Sequence, residues 1–156
     1  MPGQMNIANL LARKRVRVVT LGPEASIRQA LALLAEHNIG AVVIVDTAGR
    51  PVGILSERDI VRAVARDEAV FAVSVASIMT RQVILGSPSD DLTSVGHTMT
   101  ERRVRHLPIV DAGKLVGIVS IRDIVKAQRD QYQGAVDTLE QQILEPDTIR
   151  IDPPNP

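Results

Sequence analysis

A twelve-residue stretch occurs twice in this chain. Val52 to Ala63 (VGILSERDIVRA) returns as Val116 to Ala127 (VGIVSIRDIVKA), a shift of 64 residues from Asp59 to Asp123. Each copy runs from a short apolar segment with a glycine, through Ser-x-x-Asp, into apolar residues at helical spacing. That order reads as strand, helix cap and helix. A chain that repeats a strand-to-helix junction folds as two similar units, and the polar pair at each junction is the first functional clue.

The flanking sequence repeats as well. Val18-Val19-Thr20 reads as a short strand closed by Gly22-Pro23, and Val83-Ile84 with Pro88 matches it. Ser26 is placed to cap a helix whose face is Ile27, Ala30, Leu31 and Leu34; Leu92, Val95, Gly96 and Met99 form its counterpart, with Asp90-Asp91 as an acidic pair at its start. Gly40 to Val45 lacks alternation, so this strand is expected to be buried on both faces, as is Val104–Val110. Hairpin turns follow at Asp46–Pro51 and Asp111–Lys114, and the longer first turn accounts for the change of shift from 65 to 64. A helix from about Glu57 to Arg66 closes the first unit. The fold class is α+β: two β-α-β-β-α units related by a pseudo-twofold axis, packed through their sheets and sharing a core, since either half alone buries little surface.

The expected divisions are an N-terminal helix and basic connector (1–17), a first repeat (18–68), a second repeat (75–128), a helical extension (129–145) and a disordered tail (146–156) with four prolines. Val125, Tyr132, Val136, Leu139 and Ile143 leave a near-heptad stripe on the last helix. It either packs on its own unit or joins a second subunit, and Gly134 weakens it.

Composition removes several function classes. Phe71 and Tyr132 are the only aromatic residues, so the core is aliphatic and no stacking platform for single-stranded nucleic acid is present. Eighteen basic and eighteen acidic residues cancel, leaving no overall footprint for DNA or RNA. Basic residues do gather at Arg13–Arg17 and Arg102–His106; both read as solvated surface, and the second also as a small phosphate site. Absence of cysteine excludes disulfides, thiolate zinc sites and a cysteine nucleophile. No apolar run reaches membrane-spanning length, and Met1–Leu11 lacks the order of a signal peptide, so a cytoplasmic protein without membrane contact is expected.

Twin units carrying Gly-Ile-Leu-Ser-Glu-Arg-Asp-Ile-Val (53–61) and Gly-Ile-Val-Ser-Ile-Arg-Asp-Ile-Val (117–125) resemble the cystathionine-β-synthase (CBS) domain pair, or Bateman module. Ser77-Ile78-Met79-Thr80 and Arg105-His106-Leu107-Pro108-Ile109-Val110-Asp111 match the same pattern. The resemblance covers about Ile7 to Gln128 and leaves no room for a catalytic domain, so it points to a stand-alone pair. It implies a non-enzymatic regulatory module that binds AMP, ADP or ATP, or NAD(H) or S-adenosylmethionine, between the units, with no obligatory cofactor. It also implies a homodimer and an unidentified regulated protein. The family's ribose-binding role falls on Asp59 and Asp123, with Ser56 and Ser120 beside the ribose and phosphate. For the Asp123 cleft the resemblance adds Val19, Gly40 and Ala41, with Ile118 beneath. For the Asp59 cleft it adds Ile84, Arg105 and His106, with Ile54 beneath.

The residues support this chemistry independently. A carboxylate can accept from both hydroxyls of a ribose diol, and a helix N-terminus suits phosphate. Ser-x-x-Asp is equally a variant capping box, which stabilises a helix by about 0.5–2 kcal/mol without any ligand. Gly40-Ala41 leaves room for an adenine where the other unit has Arg105-His106, which suit phosphate; Arg58 and Arg122 are candidate helpers. His106, with an ordinary pKa near 6.5, would make binding pH-sensitive. His37 and His97 read as helix-surface residues with no partner at metal-ligand spacing, so no metal site is expected. No nucleophile elbow, Walker loop or G-x-G-x-x-G is present, and nothing reads as catalytic. The rival readings are a constitutive dimeric scaffold, slow nucleotide hydrolysis, and nucleic-acid binding through Arg13–Arg17.

Overall fold

The computed structural model describes residues 3–15 and 17–144. The elements are α1 (Ile7–Lys14), β1 (Thr20–Leu21), α2 (Ile27–His37), β2 (Ala41–Val45), β3 (Pro51–Ser56), α3 (Glu57–Arg66), α4 (Leu92–Glu101), β4 (His106–Asp111), β5 (Lys114–Ser120) and α5 (Ile121–Leu144). Two 3₁₀ turns, Glu68–Ala72 and Val75–Ser77, lie between α3 and α4. The tail expected to be disordered falls outside the described residues.

In the first unit β1 pairs parallel with β2, and β2 antiparallel with β3, in the order β1-β2-β3. The second unit has the β4-β5 hairpin, with Gly86 bridging Ile109 where β1 would lie. Both first strands are displaced from their expected positions. Val18 and Val19 precede the ladder, which starts at Thr20 opposite Val43, and Val83-Ile84 forms no strand. Val19 and Ile84 instead pack against the two cores, so their apolar character records burial rather than strand pairing. β4 starts at His106 rather than Val104, because Arg103 (φ 54°) and the bond from the Val104 N–H to the Met99 carbonyl still belong to the exit from α4.

Local signals placed the helices well. Ser26 caps α2 in a reciprocal box with Gln29, and Asn38 (φ 50°) ends it. Ile27, Ala30 and Leu34 are buried on its inner face. Asp91 caps α4 by accepting from the Ser94 N–H at 2.9 Å. Ala112 and Gly113, both at positive φ, make the tight second hairpin turn.

The expectation of one shared core is corrected: the buried side chains form two clusters, one per unit. Val42, Ile44 and Leu55 meet α2 and α3; Leu107, Ile109 and Val119 meet α4 and α5. Alternation turns Ala41 and Val43 the other way, and Pro108 likewise, yet all three are buried. The sheets therefore meet through these inner faces. Hydrophobic transfer at about 25 cal/mol per Å² is the dominant favourable term for such layers.

Each core is completed by chain from across the seam. Ile7 and Leu10 of α1 are buried in the second unit's core, and Val75 and Met79 in the first unit's. The backbone bonds repeat: Ile7 N–H to the Asp90 carbonyl (2.9 Å) and Val75 N–H to the Ala25 carbonyl (2.7 Å); Leu92 N–H to Met5 and Ile27 N–H to Val73. The segments Met5–Leu11 and Val73–Met79 are thus equivalent. Gly53 and Gly117 allow this docking. A Cβ at Gly53 would fall on Met79 Sδ, and one at Gly117 would lie 2.6 Å from Leu11 Cδ2. Gly53→Ala and Gly117→Ala are each expected to destabilise the protein by about 1–3 kcal/mol, as overpacking does, seen as a lower urea midpoint; unchanged midpoints would refute this docking.

Candidate functional site

The last β-hairpin of each unit delivers a serine to the start of a helix. Ser56 is the N-cap of α3: its side chain accepts from the Asp59 N–H (3.3 Å), while Asp59 Oδ2 accepts from the Ser56 N–H and hydroxyl, both at 2.9 Å. Ser120 and Asp123 repeat this at the start of α5, with bonds of 3.1 and 2.8 Å. The capping reading is therefore realised in both units. Among the described residues, Oδ1 of either aspartate receives no hydrogen bond. Each carboxylate, partly buried at a helix N-terminus, keeps one free oxygen.

The seam brings the two units together at these junctions. The Glu57 N–H bonds the Gly40 carbonyl at 3.0 Å, and the Ile121 N–H bonds that of Arg105 at 2.9 Å, so the starts of α3 and α5 are tied to the starts of β2 and β4. A Cβ at Gly40 would lie 3.2 Å from His106 Nε2 and 3.3 Å from Glu57 Oε1. Gly40 thus lets the second unit's imidazole approach the first unit's helix start. His106, expected beside Asp59, also feels the charges of Lys14 and Asp123.

The two junctions differ in one respect. Lys14 at the end of α1 donates to Asp123 Oδ2 at 2.7 Å and to the Ile118 carbonyl at 3.1 Å. At the equivalent place in the first unit, the Ile54 carbonyl accepts from the Thr80 backbone N–H at 2.9 Å, and Ile54 donates back at 3.0 Å. No ion pair reaches Asp59 among the described residues.

These neighbours set the protonation states. Burial would raise the Asp123 pKa, but the Lys14 ammonium and the Ser120 N–H outweigh it and hold the carboxyl below its ordinary value. Burial and then the Lys14 charge lower the His106 pKa, against the opposite pull of Asp123 and Glu57.

The remaining expected site residues are placed as follows. Ala41 is buried, whereas Val19, Ile54, Ile84 and Ile118 are partly covered. Arg58 and Arg105 are exposed. Arg122 lines a hollow of about 380 Å³ with Ile121, Val125, Lys126 and Arg129, on a different face of α5 from Asp123. A smaller hollow of about 180 Å³ lies between Leu85-Gly86 and α4. His37 and His97 are exposed on α2 and α4. No group of three or more His, Asp or Glu suited to a metal ion occurs among the described residues.

Lys14 and Glu57 were missed. Lys14 sits in a basic run that reads as solvated connector. Aligning Ile7-Ala8 and Leu10-Leu11 with Val75-Ala76 and Ile78-Met79 shows that the first connector is three residues longer, but that Lys14 enters the seam follows only from where α1 packs.

Two β-α-β-β-α units joined along their sheets, each with a polar pair at its last strand-to-helix junction, define a tandem two-unit fold. The CBS domain family model matches residues 11–66 and 75–130. This chain belongs to the CBS domain family. A CBS-domain protein from Agrobacterium tumefaciens is 42% identical, with TM-score 0.76, covering 80% of this chain and 99% of that one. A CBS domain protein from Pyrobaculum aerophilum, complexed with AMP, is 31% identical with TM-score 0.70 over 76% and 89% of the two chains. The CBS domain pair of protein MJ0100, in complex with 5-methylthioadenosine and S-adenosyl-L-methionine, is 28% identical with TM-score 0.75 over 83% and 99%. The chain spans between 33% and 79% of the length of the first three curated relatives it matches.

The lowered His106 pKa fixes a sign. An unfolded chain binds more protons than the folded one between the folded pKa and 6.5, so stability supplied by neutral His106 is complete above 6.5 and is lost as pH falls through the folded value. The wild type is expected to lose more stability than His106→Asn between pH 7.5 and 5.5 in urea titrations. Parallel losses would contradict the burial assigned to this imidazole.

Proposed function

We propose that this protein is a non-catalytic sensor that binds an adenosine-containing ligand, of the AMP, ADP or ATP kind, in one or both clefts at the seam between its units. The observation that carries the reading is the duplicated Asp59 and Asp123, each held by its serine at a helix N-terminus with one oxygen unengaged. A ribose diol supplies two hydroxyl donors to such a carboxylate, and the helix start favours a phosphate. The AMP-bound and S-adenosyl-L-methionine-bound relatives support the same ligand class. NAD(H) shares the adenosine moiety and belongs in the same panel. A cytoplasmic setting fits a nucleotide ligand, and no described helix is long and apolar enough to cross a membrane.

The capping boxes favour a rival, a scaffold in which Ser-x-x-Asp only stabilises helices. The two separate in calorimetry and thermal unfolding with AMP, ADP, ATP, NADH and S-adenosylmethionine. Binding raises stability by about 2.7 kcal/mol at a hundred times Kd, and Asp59→Ala or Asp123→Ala is expected to remove one site each. No binding and no shift with any ligand would leave the scaffold.

A second copy of the chain is the proposed partner of α5. The helix is about 36 Å long at 1.5 Å per residue, and every residue from Arg129 to Leu144 is exposed. Val125, Tyr132, Val136, Leu139 and Ile143 do not pack on their own unit; Ile143 is 79% exposed and Tyr132 73%. Charge supports an antiparallel partner: Arg122, Lys126 and Arg129 outnumber Asp123 and Asp130 in the first half of the helix, and the second half carries only Asp137 and Glu140. With Gln133 at the centre of such a pair, Lys126 of each copy falls opposite Glu140 of the other. Leu139→Asp is expected to convert a dimer to a monomer in sedimentation, with the fold unchanged by circular dichroism. A monomeric wild type, or a dimer indifferent to this change, would exclude the pairing.

A further inference from the structure

The two seam junctions share a carboxylate and differ in its counter-charge. Asp59 has no ion-pair partner among the described residues, whereas Asp123 is bound by Lys14 at 2.7 Å. The difference has a visible origin. Beyond Leu11, which is equivalent to Met79, the first connector is three residues longer than the second, and α1 continues to Lys14 where its counterpart ends at Ser77. The extra turn replaces a backbone contact with an ammonium: Ile54 pairs with the Thr80 backbone, while the Ile118 carbonyl accepts from Lys14 Nζ. Neither Lys14 nor Asp123 is fully covered, their side chains being 27% and 23% exposed.

We propose that Lys14 divides the two clefts by ligand charge, making the Asp123 cleft the site for a phosphorylated adenosine ligand and leaving the Asp59 cleft to an uncharged or cationic one. The inference rests on the adenosine-binding reading above and assigns ligand class within it. An unpaired carboxylate repels a phosphate that must sit within a few ångströms of it in a partly desolvated seam, and a paired one does not. The ammonium carries three N–H donors and uses two of them, on Asp123 and Ile118, so one remains for a phosphate oxygen. His106 at the start of β4, expected on the Asp59 side, lies in the field of Lys14 and Asp123 and adds a donor there. Glu57 is the opposing charge beside Gly40. A positively charged ligand gains nothing from Lys14 and meets an uncompensated carboxylate at Asp59.

Calorimetry with AMP and with adenosine tests this in an Asp59→Asn background, which leaves the Asp123 cleft as the site measured. Adding Lys14→Gln is expected to weaken AMP by about tenfold or more, the loss of one charge-assisted contact, and to change adenosine by less than about threefold. Lys14→Arg, which keeps the charge, is expected to retain most of the preference and controls for loss of fold. AMP binding that is unchanged or tighter in Lys14→Gln would overturn the inference, the tighter case making Lys14 a plug. Equal weakening of AMP and adenosine would also overturn it, by making the lysine structural. If the wild type binds neither compound, the adenosine-binding reading fails first, an outcome distinct from binding that ignores Lys14.

Discussion

The exchange of opening segments across the seam is the constraint on which the rest of the structure depends. Val75 and Ile7 donate backbone bonds to Ala25 and Asp90, and each buries its side chain in a core that is not its own unit's. A unit without its partner would lose part of its core and expose the inner face that carries Val43 or Pro108. The halves therefore fold as one object. The seam that stabilises them is also where both Ser-x-x-Asp junctions lie, so the geometry of the junctions is fixed by the same contacts that fix the fold.

Capping and binding use the same atoms without exhausting them. Asp59 Oδ2 receives the serine bonds that hold the first turn of α3, and Oδ1 remains; Asp123 behaves alike while also holding Lys14. Capping and a ligand contact are therefore compatible at one carboxylate. A residue that caps a helix is held rigidly, and rigidity is what a binding carboxylate needs if ordering costs are to stay small. The cost of removing Asp59 or Asp123 should accordingly appear in stability as well as affinity, and only the ligand dependence separates the two.

Much of the fold was legible because the chain states it twice. Repetition of VGIxSxRDIV fixed the strand-to-helix junctions, and the helix face at Ile27, Ala30 and Leu34 followed from spacing. The first strands were misplaced because Val18-Val19 and Val83-Ile84 are apolar for burial against helices, whereas the ladder is set by register with Val43 and Ile109. The single-core expectation failed because β2 is buried on both faces: a continuous apolar run says that two layers exist, not which residues share one. Lys14 was hidden by its neighbours Arg13 and Arg15, which are exposed as a basic run should be. Only the tertiary position of α1 sets it apart.

Binding becomes sensing only if an element feels the ligand and also presents a surface. α5 is placed to meet both conditions if the proposed ligand binds. Its first turn contains Asp123, tied to the seam by Ser120 and Lys14, and its second half stands free of the unit with an apolar stripe. Under the proposed adenosine-binding reading, a ligand that changed how Asp123 is held would be felt at the start of the helix that carries Leu139 and Ile143. The free energy available for that change is limited to the difference in ligand affinity between the two positions. Asp123 Oδ1 is free while Oδ2 holds Lys14, so a ribose contact there would add a polar partner without breaking the ion pair, which keeps both positions within reach of one another. α3, which carries Asp59, ends at Arg66 and has no such extension. The two junctions thus differ in reach as well as in charge: the one that Lys14 pairs lies at the start of the helix whose second half, to Leu144, is exposed.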